Sequence, residues 1–300
     1  KDYHSFSNWF ANPKIFQSLF FIKIIYLLFD FLLLYCLLNF QISKKDSIIK
    51  YWTFSPLILY PVYMYAQFDI LPTAVMMLAI LFITKNKNYL GFLLLGIAGM
   101  LKHFPFVLTP ILLCLANATL KEKFKLIVLC FLPYIFFSLP FLNTKSFIDD
   151  VFINSGGYLK NYLFISGYFF LFIIALLLKK NQQQKIEETA IIKISFATLA
   201  IYLIFSNLHP QFIVWITPFI ILLCAQQKKF IYYYCLIVIT FFIYIQNLGR
   251  NASWLLLIPL DIELQNLPSI KTIIEHFFKI QWLFPLMRWL FNLSLFYYFL

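Results

Sequence analysis

Apolar residues run along this chain in long continuous blocks, separated by short polar breaks. The first block covers residues 15–40 and is followed by Lys44, Lys45 and Lys50. The second, residues 51–84, is too long for one membrane crossing and carries a polar notch at Ala66-Gln67-Phe68-Asp69. It predicts two helices that meet at the notch, with Lys85 and Lys87 at the far end. Residues 89–120 repeat the form, with Lys102-His103-Phe104-Pro105 in the middle and Lys121, Lys123 and Lys125 at the end. Residues 126–141 and 161–178 predict a plain hairpin around an outer loop at 143–160.

A third broken pair spans residues 190–225. It lies between Lys179, Lys180, Lys185 and Lys228-Lys229, and is interrupted at Ser206-Asn207-Leu208-His209-Pro210-Gln211. One span at 230–246 and a last span at 282–300 complete the chain. Between them Ile270, Ile273, Ile274, Phe277 and Phe278 fall on one helical face, and Lys271, Thr272, Glu275, His276 and Lys279 on the other. That pattern predicts a helix lying in the outer interface.

Blocks without alternation favour helical spans over β-strands and predict an all-α, polytopic transmembrane helix bundle. A full crossing takes roughly 20 residues, and a pass such as residues 91–101 has about half that. Short passes are tolerated where the backbone is buried in protein or lines a cavity. Short broken helices whose tips stop below the outer surface are therefore expected.

Composition agrees. The 300 residues are 62% hydrophobic, 21% aromatic and 12% charged, against about 25% charged in a soluble domain. The net charge of +12 does not point to nucleic acid. Every lysine cluster falls on one side when the blocks are counted as above, as the positive-inside rule expects. Cys36, Cys114, Cys130, Cys224 and Cys235 all lie in apolar blocks without CxxC spacing, and read as small buried hydrophobes. No P-loop, GxGxxG, hydrolase elbow or zinc spacing is present, so neither cofactor nor metal is expected. The chain opens at Lys1 on a polar, aromatic stretch. Residues 1–300 are expected to form one integral membrane domain, with a first transmembrane helix and most of the first outer loop upstream.

The three breaks share the face opposite the lysine clusters, and each has two readings. Asp69, with Gln67, is a hydrated turn residue or a cavity carboxylate that orients a sugar or hydroxyl. Lys102 opposes the charge bias; it snorkels to the interface or holds a phosphate, with His103 beside it. Pro105 is expected to keep Phe104 out of helical geometry. His209 and Gln211 are structural, or donate to the same anion. Arg250 carries a fork suited to phosphate. Asp30, inside the first span, is a functional candidate or pairs with Lys23 or a neighbouring helix.

The run Gln67-Phe68-Asp69, then Gly91, Gly96, Lys102 and Pro105 in a G-x4-G-x5-K-x-x-P form, resembles the polyprenol-phosphate-dependent mannosyltransferases. His209-Pro210-Gln211-Phe212-Ile213-Val214-Trp215 through Pro218 is similar to their Q-[FY]-x-x-W-x-x-P segment. The resemblance covers roughly residues 21–223, and extends to the first glycosylphosphatidylinositol mannosyltransferase subunit and to bacterial and archaeal membrane enzymes.

It implies a C-type glycosyltransferase fold and a polyprenyl- or dolichyl-phosphate sugar donor. It also implies a glycan or glycolipid acceptor and an active face that is extracytoplasmic or luminal, in a bacterial, archaeal or endoplasmic reticulum membrane. The family's main catalytic aspartate lies in the first outer loop, which places it upstream of residue 1; Asp69 is the candidate within the chain. A transporter or lipid-linked oligosaccharide flippase is the alternative, because its cavity is also lined by broken helices.

Overall fold

The computed structural model describes residues 15–41, 44–149, 162–181, 187–206, 208–252, 262–277 and 282–299. Among them the chain is α-helical, with no strand. The elements are α1 (Ile15–Asn39), α2 (Lys45–Thr53), α3 (Ile70–Thr84), α4 (Asn88–Leu101), α5 (Thr109–Leu115) and α6 (Leu120–Ser138). They continue as α7 (Tyr162–Asn181), α8 (Glu188–Phe205), α9 (Ile213–Gln226), α10 (Phe230–Ile245), α11 (Ile270–Phe277) and α12 (Leu283–Phe299). Five stretches are long and apolar enough to cross a membrane: Phe20–Asn39, Leu120–Phe141, Tyr162–Lys180, Glu188–Phe205 and Phe230–Gly249. The protein is a helical membrane bundle.

Burial sorts the helices into a centre and a rim. Nearly every residue of α9 from Ile213 to Ala225 is buried, as are most of α3 and α8. By contrast α1, α6, α7 and α10 turn large apolar side chains outward, among them Phe31, Phe136, Phe169 and Ile239. An all-apolar helix has no polar face to offer water, so this outward ring is a lipid-facing surface.

Hydrogen bonds between connections fix which helix ends lie together. Gln41 N donates to Glu188 Oε1 at 2.6 Å, Asn88 Nδ2 to the Asn117 carbonyl at 3.3 Å, and Lys179 to Asn117 Oδ1. The basic connections therefore gather at one end. The three polar breaks meet at the other. Lys121, Lys123 and Lys125 lie in the first turns of α6 and not in a loop after the preceding block. Thr119 caps that helix, its Oγ1 accepting from Glu122 N while Glu122 Oε2 accepts from Thr119 N at 2.7 Å.

The first half of the pair before Asp69 is not one helix. After α2 the chain kinks at Phe54-Ser55, makes a turn at Pro56–Ile58, and continues as a π-helix over Leu59–Met64. Of the five cysteines, Cys235 is exposed on α10 and the other four are buried, which corrects the uniform burial expected. The amphipathic stretch forms α11 over residues 270–277, with Phe278 and Lys279 outside the described residues.

The glycines of the G-x4-G form prove to be helix-packing positions. A Cβ on Gly96 of α4 would lie 2.0 Å from the Cys130 carbonyl oxygen of α6, so the two backbones approach as only glycine permits. Gly99 lies under the Phe106 ring, which a Cβ would meet at 2.5 Å. Phe106 folds the chain back onto α4 just after the second break.

Candidate functional site

Asp69 immediately precedes α3, and its carboxylate makes no bond to its own helix end. It reaches across the bundle instead. Lys102, which caps the C-terminus of α4 in extended conformation, places Nζ 2.7 Å from Asp69 Oδ1. Trp215, in the first turn of α9, donates Nε1–H to the same oxygen at 2.5 Å. Each of the three broken pairs thus supplies one member. Asp69 is fully buried, and its Oδ2 has no hydrogen-bond partner among the described residues.

The aromatic surroundings of Lys102 come from the same breaks. Its Nζ lies 5.1 Å from the centre of the Phe68 ring, 5.4 Å from Trp215 and 5.6 Å from Phe212. Phe104 stacks flat on Trp215 at 4.0 Å and 6°. Cation–π attraction of this kind contributes about 0.5–2 kcal/mol per contact, more as water is excluded. The Lys102 side chain keeps 24% of its surface exposed, and Phe68 keeps 44%. Lysine and phenylalanine therefore form the reachable part of the site, and Asp69 lies beneath them.

A fully buried carboxylate is costly unless it is paired, and Lys102 and Trp215 supply the pairing.

Local sequence explains why the breaks hold their shape. Ala66 is held at φ 51°, a left-handed conformation that costs a residue with a Cβ about 1–2 kcal/mol. His209 is extended before Pro210, as the residue before proline should be. At the second break the expectation fails: Phe104 lies in a 3₁₀ turn over residues 104–108, and the extended residue is Lys102. The helix ends at Leu101, four residues before Pro105, and Lys102 just beyond it turns its side chain to Asp69.

The site falls about level with Tyr26 of α1, whose hydroxyl donates to the Ala66 carbonyl at 3.2 Å. Tyr26 is roughly 16 Å along the helix from Ile15, at 1.5 Å per residue. The breaks are thus sunk well below the end of the longest helix.

The structure joins Asp69 and Lys102, with Gln67 in the same loop. Gln67 turns its Nε2 to the Tyr65 carbonyl at 3.4 Å. Of the other expected residues, His103, His209 and Gln211 do not share the ion pair. His103 is exposed and meets the Tyr134 hydroxyl of α6 at 3.1 Å. His209 is exposed, its ring centre 5.4 Å from that of Phe212 in an edge-to-face arrangement. Gln211 is half-buried in the 3₁₀ turn of residues 210–212. The Arg250 backbone belongs to the turn over residues 246–252, while its side chain lies outside what is described.

Asp30 is engaged by neighbouring elements and not by Lys23: Trp52 Nε1 donates to Oδ1 at 2.6 Å, and the Tyr63 hydroxyl to Oδ2.

Two residues were missed. Trp215 carried a usable signal, since a buried indole N–H needs an acceptor and an apolar block offers few. Arg288 of α12 was the other. Its Nη2 donates to the carbonyls of Leu203, Ser206 and Ile204 at 2.5, 2.8 and 3.2 Å, closing the C-terminus of α8 just before the third break. An arginine within an apolar span is the sign that points to such a role. No group of three or more metal-ligating side chains occurs among the described residues. Compared with known family models, with curated proteins and with solved structures, the chain matches none of them.

Proposed function

We propose that the chain is an integral membrane glycosyltransferase, a mannosyltransferase by its local motifs. It would move a sugar from a polyprenyl- or dolichyl-phosphate donor to a glycan or glycolipid acceptor, at the end of the bundle away from the basic connections. One observation carries the reading: a partly exposed lysine, neutralised by a buried carboxylate, stands on aromatic rings where three broken helix pairs meet. A lysine ammonium is a compact charge that suits a phosphate leaving group. The exposed face of Phe68 suits the apolar C–H face of a sugar ring, which packs on aromatic carbon and leaves its hydroxyls to polar partners.

In the transfer, the bond from the anomeric carbon to the phosphate oxygen breaks and a bond to the acceptor oxygen forms. The acceptor proton passes to a carboxylate base, and the phosphate departs on its lipid. Lys102 balances the charge developing on that phosphate. Asp69 holds the ammonium in place from beneath.

The test is transfer from radiolabelled dolichyl-phosphate mannose in membranes holding equal amounts of wild type and Lys102→Ala. Loss of transfer is expected, and unchanged transfer removes the lysine from the mechanism. The short broken helices favour a second reading, a lipid-sugar transporter. In that case the labelled donor crosses the bilayer without being consumed.

A further inference from the structure

The chemistry of Asp69 depends on where its loop is held, and the grip comes from the first helix. We infer that α1 clamps the segment presenting Asp69 at two points, with Asp30 and Tyr26 as positioning residues. This rests on reading Asp69 and Lys102 as the site.

Tyr26 and Asp30 are four residues apart and so lie one turn apart on the same face of α1, continued by buried Leu33 and Leu37. Tyr63 belongs to the π-helix of residues 59–64 and donates to Asp30 Oδ2. Trp52 Nε1, from α2, donates to Oδ1. Three residues beyond Tyr63, the Ala66 carbonyl accepts from the Tyr26 hydroxyl. Only Met64 and Tyr65 separate the two grips.

Between those points the backbone leaves the regular helical path. Tyr65 N donates to the Tyr60 carbonyl at 2.8 Å, a π-type bond, and Gln67 N donates to the Pro61 carbonyl at 3.0 Å. Ala66 then takes its left-handed conformation. A π-turn carries one residue more than an α-turn, so without it everything beyond would rotate by about 100°. Asp69, three residues on, would no longer face Lys102 and Trp215. The carboxylate at position 30 also has a specific reason. It must accept from two neutral donors at once, and an amide side chain has one acceptor oxygen where a carboxylate has two.

The same bonds give a spectroscopic test. Each of the two carboxylates carries an indole reporter: Trp52 on half-buried Asp30 and Trp215 on buried Asp69. The full chain, 15N-labelled at its six tryptophan indoles and held in lipid nanodiscs, gives resonances assignable by Trp52→Phe and Trp215→Phe. Tyr63→Phe and Tyr26→Phe each remove one hydroxyl and leave the ring packing in place. In both, the Trp215 N–H proton resonance is expected to shift upfield, towards the unbonded position; the Tyr26 hydroxyl also acts on the Asp69 charge directly, so Tyr63→Phe, whose hydroxyl bonds Asp30, is the decisive variant. Leu33→Ala, which loosens the same face but removes neither hydroxyl, is expected to leave it unmoved.

An unmoved Trp215 resonance in Tyr63→Phe overturns the clamp, as does an equal shift in Leu33→Ala. The measurement involves no sugar transfer, so a failed transfer assay beside a shifted Trp215 would sink the proposed reaction and leave the clamp standing.

Discussion

Lys102 Nζ lies 2.7 Å from Asp69 Oδ1 across 33 residues of sequence, and the two ends of this pair are buried very unequally. Asp69 has no exposed surface, whereas Lys102 keeps 24% of its side chain open. The lysine can reach a ligand; the carboxylate cannot lose the lysine cheaply. That asymmetry makes substitutions at the two positions behave differently.

Lys102→Met should cost roughly 3–5 kcal/mol of stability, because it leaves a buried carboxylate with only Trp215 as donor. The double variant Asp69→Leu, Lys102→Met removes both charges and should recover most of that loss, since an apolar pair of similar volume often replaces a buried ion pair without penalty. Neither variant should transfer sugar. Denaturation in detergent beside the transfer assay checks this, and recovery of activity with stability would make the pair purely structural.

Much of the arrangement was legible because polar side chains in apolar blocks cannot be accidental. Gln67, Asp69, Lys102 and His209 marked the three breaks, and the lysine clusters marked the opposite ends. What stayed hidden was which side chains at each break turn inward. Sequence places Lys102 and His103 side by side, but only the packed bundle gives Asp69 to the lysine and Tyr134 to the histidine. Trp215 reads as core in an apolar run, and its donor role depends on an acceptor 146 residues away. The π-helix of residues 59–64 leaves no mark in apolar periodicity, because its residues are apolar or aromatic throughout. The T-x-x-E cap at Thr119 was legible too, and it puts Lys121, Lys123 and Lys125 inside the helix that follows and not at the end of the block before it.

Gly96 gives a purely steric prediction. A methyl group at this position meets a backbone oxygen at 2.0 Å, and a backbone oxygen in a helix has no rotamer to escape into. Gly96→Ala should force α4 from α6 and cost about 1–3 kcal/mol or more. Gly99→Ala meets the Phe106 ring instead, which can turn aside at the expense of its stack on Phe131. The thermal midpoint of Gly96→Ala in detergent should lie below that of Gly99→Ala, and the reverse order would mean that α4 and α6 are farther apart than described.

Arg288 is expected to control the third break from a distance. The last carbonyls of a helix have no partners within it, and those of α8 lie beside an apolar span where water is scarce. Arg288 Nη2 supplies donors to Leu203, Ile204 and Ser206, while the guanidinium carbon lies over the Tyr244 and Phe291 rings at 5.6 and 5.7 Å. Hydrogen bonds from a charged group contribute roughly 1.5–3 kcal/mol each, but one nitrogen has two hydrogens to share among three oxygens. Arg288→Leu should therefore cost about 3 kcal/mol, nearer one such bond than three. Arg288→Lys keeps the charge and should recover part of it, limited by the loss of the planar fork. The effect should be local: peptides covering residues 203–213 should exchange amide hydrogen faster in Arg288→Leu, and peptides from α4 should not. Uniformly faster exchange would instead make Arg288 a general support of the bundle, with no particular hold on the segment that delivers Trp215 to Asp69.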